Sequence, residues 1–177
     1  MPGEPPAEAP FEAFANCGER LLLIGGNALL AFGSDRMTLD CDCAVIAADE
    51  QLVAGALAPL GYWFKERFST FARYTHLGGR RPVVDVMLLD PPTFEKLRSE
   101  SEEIVLSGVK LRAPKPLHIV ALKLHALKQQ PERVVKDWPD ICFLLRASQW
   151  TREELNVIAE RYGSSESLEM LRKAGFL

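Results

Sequence analysis

Apolar and polar positions along the first two thirds of the chain alternate between helical and strand-like spacing. This mixture favours a fold in which strands and helices are interspersed. The predicted helices cover residues 7–16, 27–32, 50–60 and 91–98, and the predicted strands cover residues 21–24, 38–47, 62–68, 71–77, 82–89, 102–106 and 109–111. After residue 114 only helical spacing remains. Those helices are predicted over residues 116–128, 134–146, 151–162 and 167–174.

The same patterns divide the chain into three parts. Residues 1–9 are rich in proline and glutamate, which predicts a disordered leader because such a segment buries too little apolar surface. Residues 10–112 are predicted to form an α/β core, and residues 113–177 a helical subdomain.

Composition narrows the class of protein. The formal net charge of −3 argues against a nucleic-acid binder that relies on general electrostatic attraction. It does not argue against binding through a local basic groove. The four cysteines are too scattered for a disulfide framework and are predicted to be reduced and buried. No apolar run approaches the roughly 20 residues of a membrane span. The N-terminus lacks the basic and apolar regions of a secretory signal, so a cytoplasmic protein is expected.

The strand predicted over residues 38–47 carries two carboxylates, Asp40 and Asp42. Residues i and i+2 of a strand share a face, with Cα atoms roughly 6.5–7 Å apart. Two neighbouring acids repel each other unless a cation or water lies between them. They are either a cation site or exposed acids on a solvated face. The opposite face carries an apolar row predicted to be buried, made of Leu39, Cys41, Cys43 and Val45.

Gly25 and Gly26 lie between the apolar strand at residues 21–24 and the helix at residues 27–32. A helix that follows a glycine turn offers free N–H groups to a phosphate. The alternative is a tight connection with no ligand. Neither a Walker loop nor the dinucleotide-binding glycine pattern is present.

Asp85 is the single charged residue in the otherwise apolar stretch 83–89. A charge there is costly unless it is paired or binds a cation. If its strand lies beside the strand of Asp40, three carboxylates converge, which suits Mg²⁺. The alternative is a salt bridge to an arginine such as Arg73.

Together these residues resemble the nucleotidyltransferase superfamily, whose fold is that of DNA polymerase β. Its motif is a small-residue pair followed, after about nine to thirteen residues, by Asp-x-Asp or Asp-x-Glu, which matches Gly25-Gly26 and Asp40-x-Asp42. The longer pattern Arg36-x-Thr38-x-Asp40-x-Asp42 is similar to the small bacterial AbiE (AbiEii) branch associated with toxin–antitoxin systems. That branch also has a lysine motif and a Lys/Arg-Asp-x-x-Asp motif, which match Lys123 and residues 136–140 (KDWPD).

The resemblance implies an α+β fold in which a mixed sheet is flanked by helices and followed by a C-terminal helical subdomain. It implies transfer of a nucleoside monophosphate from a nucleoside triphosphate, such as ATP, to a hydroxyl of an RNA, a protein or a small molecule. A cognate antitoxin or toxin is the implied protein partner, and no membrane is involved. Two Mg²⁺ ions are implied. The implied metal ligands are Asp40, Asp42 and Asp85, with Lys123 as a further catalytic residue and Gly25, Gly26, Arg36, Asp137 and Asp140 as nucleotide-binding residues.

Each residue of the helical motifs also has a simpler interpretation. Lys123 lies on a stripe predicted to be buried, so it either has an anionic partner or extends to the surface. Proline is tolerated in the first turn of a helix, so Pro139 makes Asp137 a candidate helix cap. Asp140 can pair with Lys136 four residues earlier, and Arg36 can be a solvated loop residue.

Two residues depart from the family pattern. Gly26 stands where many catalytic members have serine, and Asn27 stands where the AbiE branch often has threonine. These departures favour a rival hypothesis, a non-catalytic nucleotide- or partner-binding module. A third hypothesis, a purely structural protein, predicts Asp85 paired to an arginine with no cleft nearby.

Overall fold

A computed structural model describes residues 8–177, so most of the leader predicted over residues 1–9 lies outside the described residues. Contacts divide the chain into two compact units. The first ends at Pro114 and the second comprises Lys115–Leu177. The predicted division into domains at residue 112 remains a prediction, and the two units are described separately.

The first unit is built on a five-stranded sheet of order β1-β2-β5-β4-β3 and a separate hairpin of β6 and β7. The strands are β1 (Leu22–Ile24), β2 (Asp40–Ile46), β3 (Tyr62–Arg67), β4 (Phe71–His76), β5 (Val83–Leu89), β6 (Ser101–Leu106) and β7 (Val109–Pro114). The helices are α1 (Phe11–Asn16), α2 (Gly25–Ala31), α3 (Glu50–Leu57) and α4 (Pro91–Ser99). The predicted mixed α and β class is confirmed.

The pairing of β2 with β5 determines where the acidic residues lie. These two strands are parallel, whereas β1–β2, β3–β4 and β4–β5 are antiparallel. A parallel pair needs a long crossover, which here includes α3 and the β3–β4 hairpin. Val84 and Val86 of β5 are fully buried on one face, so Asp85 between them points to the other.

The apolar face of β2 begins later than the alternation predicted. Cys41, Cys43 and Val45 are fully buried, but Leu39 is 77% exposed. The strand starts at Asp40, so Leu39 belongs to the preceding loop and has no sheet neighbour to cover it. Burial raises the pKa of the Cys41 and Cys43 thiols well above its ordinary value. All four cysteines are free, and Cys142 is only partly buried.

The second unit is helical, as predicted, and comprises α5 (Pro116–Gln129), α6 (Val134–Ala147), α7 (Arg152–Tyr162) and α8 (Ser165–Lys173). Its core contains the fully buried residues Leu124, Ile141, Leu144, Leu155 and Leu171. Within residues 8–177, every helix is too short or too polar to span a bilayer.

Candidate metal and nucleotide site

Three carboxylates converge on one face of the sheet in the first unit. Asp40 and Asp42 are two residues apart on β2, and Asp42 is the direct partner of Asp85 on β5. One carboxylate oxygen from each residue lies within 4.8 Å of the others. All three residues are partly exposed, so the cluster is open to solvent and ligands. We refer to these three residues as the acid triad.

Arg73 is paired with one member of the acid triad. It lies on β4 directly across from Asp85. Its Nε and Nη2 donate to Asp85 Oδ1 and Oδ2, each at 2.8 Å. Hydrogen bonding to Asp85 is the main cause that raises the pKa of the Arg73 guanidinium above its ordinary value. The salt bridge that was the alternative interpretation of Asp85 is therefore present together with the acid triad.

The glycine pair allows the main chain of α2 to lie against β2, the strand that carries Asp40 and Asp42 and is called the acid strand below. Gly25 has φ +62°, and a Cβ there would lie 1.9 Å from Asp42 Oδ2. A Cβ at Gly26 would lie 2.5 Å from Thr38 Oγ1. At both positions the glycine is required by close approach, and at Gly25 also by the left-handed backbone conformation.

Asn27 and Thr38 fix the beginning of the acid strand, and sequence reasoning assigned neither of them a role. Asn27 is fully buried, and its Nδ2 donates to the carbonyl oxygen of Asp40 at 2.8 Å. Thr38 Oγ1 donates to the same carbonyl oxygen at 3.3 Å and lies 3.2 Å from Asp40 Oδ1. The available signals were the place of Thr38 in the pattern that includes Asp40 and Asp42, and the position of Asn27 directly after the glycine pair. These bonds fix the position of Asp40 from its main chain as well as its side chain.

The acid triad has the donor chemistry that Mg²⁺ prefers, because three carboxylate oxygens are close together and partly open to solvent. The missing Cβ of Gly25 leaves room for Asp42 Oδ2 at this position. In addition, Asn27 Oδ1 is buried without a hydrogen-bond partner beside the acid strand. The residues present therefore fit a divalent cation.

Arg36 lies in the loop between α2 and β2. Its main-chain N–H donates to Ser34 Oγ at 3.3 Å. The side chain is partly exposed. Its predicted contact with a phosphate remains a prediction.

The second unit contains a separate buried ion network. Lys123 Nζ on α5 lies 2.8 Å from Asp137 Oδ1 and 2.7 Å from Asp140 Oδ2, both on α6. Arg133 Nε lies 2.7 Å from Asp137 Oδ2. Asp137 is 0% exposed, Asp140 5% and Lys123 8%. Lys123 therefore does not extend to the surface, and Asp140 is not an exposed residue. We refer to these four residues as the buried ion network.

Asp137 is not a helix cap. It is the fourth residue of α6, which begins at Val134, and Pro139 lies inside the helix. Burial acts to raise the pKa of Asp137, but the charges and hydrogen bonds of Lys123 and Arg133 outweigh it and lower this pKa below its ordinary value. The carboxyl is therefore held ionised by its two cationic neighbours.

Solved structures of nucleotidyltransferases share this fold. ANT(2'')-Ia in complex with adenylyl-2''-tobramycin has a TM-score of 0.65 at 15% identity, with 85% of this chain and 92% of that chain covered. An antigenic nucleotidyltransferase-like protein from Paracoccidioides brasiliensis has a TM-score of 0.57 at 15% identity, covering 96% and 93%. The lincomycin-bound lincosamide antibiotic adenylyltransferase LnuA has a TM-score of 0.52 at 16% identity, covering 72% and 87%. At these identities the similarity establishes the fold.

No curated protein matches the sequence significantly. The profile of one family does match it, over residues 11–175, and that family is described as "Nucleotidyl transferase AbiEii toxin, Type IV TA system". The match covers both compact units, including the acid triad and the buried ion network. The chain therefore belongs to the AbiEii nucleotidyl transferase family.

Proposed function

We propose that this chain is a metal-dependent nucleotidyltransferase that moves a nucleoside monophosphate from a nucleoside triphosphate to a hydroxyl group. The acceptor is an RNA, a protein or a small molecule, and the chain acts as the toxin of a toxin–antitoxin pair. The observation that carries the proposal is the convergence of the acid triad beside Gly25 and Gly26, which begin α2 instead of forming the turn predicted before it. Membership of the AbiEii family supports both the chemistry and the toxin role.

The proposed roles follow from the positions of the side chains. Up to two Mg²⁺ ions would be held by Asp40, Asp42 and Asp85. When bound, they would neutralise charge on the triphosphate. Asp85 also accepts the proton of the attacking hydroxyl. The acceptor oxygen forms a bond to the α-phosphorus, the bond from that phosphorus to the bridging oxygen breaks, and pyrophosphate leaves. The main chain of Gly25 and Gly26, the first two residues of α2, contacts the departing phosphates.

Family motifs add four residues to the proposal. Arg36 is proposed to contact a phosphate, Asp137 and Asp140 are proposed to take part in nucleotide binding, and Lys123 is proposed to be a catalytic residue. Lys123 already has two carboxylate partners, so its substitution also disturbs the buried ion network. Nucleotide affinity measured on Lys123→Arg, which keeps the charge, separates a binding role from a purely structural one.

The proposal is tested by transfer of radiolabel from each of four α-labelled nucleoside triphosphates in the presence of Mg²⁺. Three acceptor arms are needed: total RNA, protein including the chain itself, and the antibiotics tobramycin and lincomycin. Asp42→Asn is expected to lower transfer by at least about a hundredfold, because a carboxylate that holds the cation is lost. Asp49→Asn is the matched control, since Asp49 follows the opposite end of β2. No label in any arm, or equal transfer by both variants, would refute the proposal.

A second candidate function is a non-catalytic nucleotide- or partner-binding module on the same fold. It is favoured by the engagement of both Asp85 oxygens with Arg73 and by Asn27, which contributes no hydroxyl beside the acid strand. Calorimetric titration with nucleoside triphosphates and Mg²⁺ detects binding by either candidate. Binding without label transfer in any acceptor arm identifies the module.

A further inference from the structure

Arg73 brings a permanent positive charge to the acid triad. Guanidinium groups are not deprotonated in proteins, so the charge cannot be removed when a second cation approaches. Both Asp85 oxygens accept from Arg73 at 2.8 Å, and Nη1 of Arg73 lies 3.5 Å from Glu66 Oε1 on β3. The side chains of Arg73 and Asp85 are 30% and 16% exposed, so solvent screens the pair only in part.

Two aromatic rings hold the guanidinium in place. Phe68 and Phe71 flank the turn between β3 and β4, and their rings stack with centroids 4.2 Å apart. The guanidinium carbon of Arg73 lies 5.5 Å from the centroid of Phe68 and 5.7 Å from that of Phe71. Both distances are within the range of cation–π attraction. Movement of Arg73 away from Asp85 would therefore break these contacts as well as the salt bridge.

The pair changes the charge balance of the site. By formal charge, the three carboxylates of the acid triad and the guanidinium of Arg73 sum to −2, which one divalent cation neutralises; Glu66, the other acid beside Arg73, lies outside the triad. Each carboxylate oxygen has two lone pairs, so the paired geometry leaves Asp85 able to accept one further bond at each oxygen. A cation bound there would share a carboxylate with a like charge, and like charges at such distances repel strongly.

We infer that Arg73 is an internal counter-cation of the acid triad, which positions Asp85 and competes with divalent cations for it. The inference rests on the proposed function, because it takes the acid triad as the cation site. It predicts that the resting protein binds divalent cations more weakly than its three carboxylates alone would. The cation is then held firmly only when a further negative charge, such as a triphosphate, arrives with it.

Direct binding of Mn²⁺, measured by electron paramagnetic resonance of the free ion without nucleotide, tests the inference. Arg73→Met removes the charge and keeps an apolar side chain near the two rings, and it is expected to bind Mn²⁺ about tenfold more tightly. Arg73→Lys keeps the charge and is expected to stay within about threefold of wild type.

Arg98→Met is the matched control. Arg98 on α4 forms the same two-bond pair with Glu95, at 2.9 and 2.7 Å, and also contacts a second acid, Glu19. Its side chain is 33% exposed, close to the 30% of Arg73. Loss of this pair removes an equivalent surface interaction outside the acid triad, so Mn²⁺ affinity should not change.

The outcomes separate the inference from the function on which it rests. If wild type binds Mn²⁺ and Asp42→Asn does not, the cation site stands. Unchanged or weaker binding by Arg73→Met then overturns the inference alone, as does equal tightening by Arg73→Lys. If wild type and Asp42→Asn bind Mn²⁺ equally, the acid triad is not the cation site, and the inference about Arg73 is refuted with it. Thermal melts without metal confirm that each variant is folded.

Discussion

At the scale of single residues, Gly25 controls how closely α2 approaches the acid strand. A Cβ at this position would lie 1.9 Å from Asp42 Oδ2 and 2.7 Å from Asp42 Cβ, so the carboxylate would have to turn away and the main chains of α2 and β2 would have to separate. Gly25→Ala is therefore expected to abolish Mn²⁺ binding. It is also expected to lower the free energy of unfolding by about 1 kcal/mol or more, since a non-glycine residue is strained at φ +62°.

Gly18→Ala provides the matched control for this prediction. Gly18 has φ +59°, but a Cβ there meets no atom within 4 Å. This variant is expected to show the backbone strain and normal Mn²⁺ binding. Urea unfolding and Mn²⁺ titration of both variants measure the two effects, and equal Mn²⁺ affinities would mean that the contact with Asp42 is unimportant.

Asp85 and Arg73 show what could be predicted at the level of single residues. Asp85 was identifiable because one charge interrupts an apolar stretch, and its two explanations were a cation site and a salt bridge. The structure contains both, since Arg73 occupies one side of the carboxylate while the other two acids lie within 4.8 Å. Their coexistence depends on three strands meeting side by side, which local sequence does not encode.

At the scale of elements, the buried ion network links α5 to α6 within the second unit. Asp137 has a pKa below its ordinary value, so it contributes stability that is complete above the unfolded value of about 3.9. That contribution is lost as the pH falls through the lower pKa of the folded state, because below it the folded and the unfolded protein both carry the proton. Stability should therefore fall from about pH 5 towards about pH 2.

Asp137→Asn is expected to flatten this acid-side decline and to lower stability at neutral pH by about 3 kcal/mol, because Arg133 and Lys123 lose a shared buried partner. Urea unfolding followed by far-UV circular dichroism at a series of pH values measures both effects. Glu154→Gln, at the exposed capping box of α7, is a control for lowered carboxyl pKa outside the network. An unchanged acid-side slope in Asp137→Asn would contradict the assignment.

The type and order of the elements followed from the sequence, but their neighbours in the sheet did not. The strand of Asp85 lies beside the strand of Asp42 only because a long crossover returns the chain in parallel. The position of Pro139 in its helix also did not follow from the sequence. It was expected in a first turn but is the sixth residue of α6. The carbonyl that loses its helical hydrogen bond belongs to Val135, which is 84% exposed, so solvent can satisfy it.

At the scale of the whole molecule, cation binding should appear as a gain in thermal stability. A ligand that binds only the folded state stabilises it by about 2.7 kcal/mol at a hundredfold excess over its dissociation constant. Mg²⁺ and Mn²⁺ are therefore expected to raise the melting temperature of wild type and of Asp49→Asn, but not that of Asp42→Asn. Differential scanning calorimetry at constant ionic strength makes the comparison, because salt alone screens the repulsion among the acids. A shift retained by Asp42→Asn would place the bound cation elsewhere.

The distribution of cysteines has a practical consequence for spectroscopy. Cys17, Cys41 and Cys43 are buried, so reagents have little access to them. Burial raises the pKa of all four thiols, so access to the sulfur, and not the thiolate content, distinguishes them. Cys142 on α6 is the only cysteine with partial exposure. A maleimide fluorophore or spin label applied to the folded wild-type protein is thus directed to one position in the helical unit, and no cysteine needs to be removed by mutagenesis.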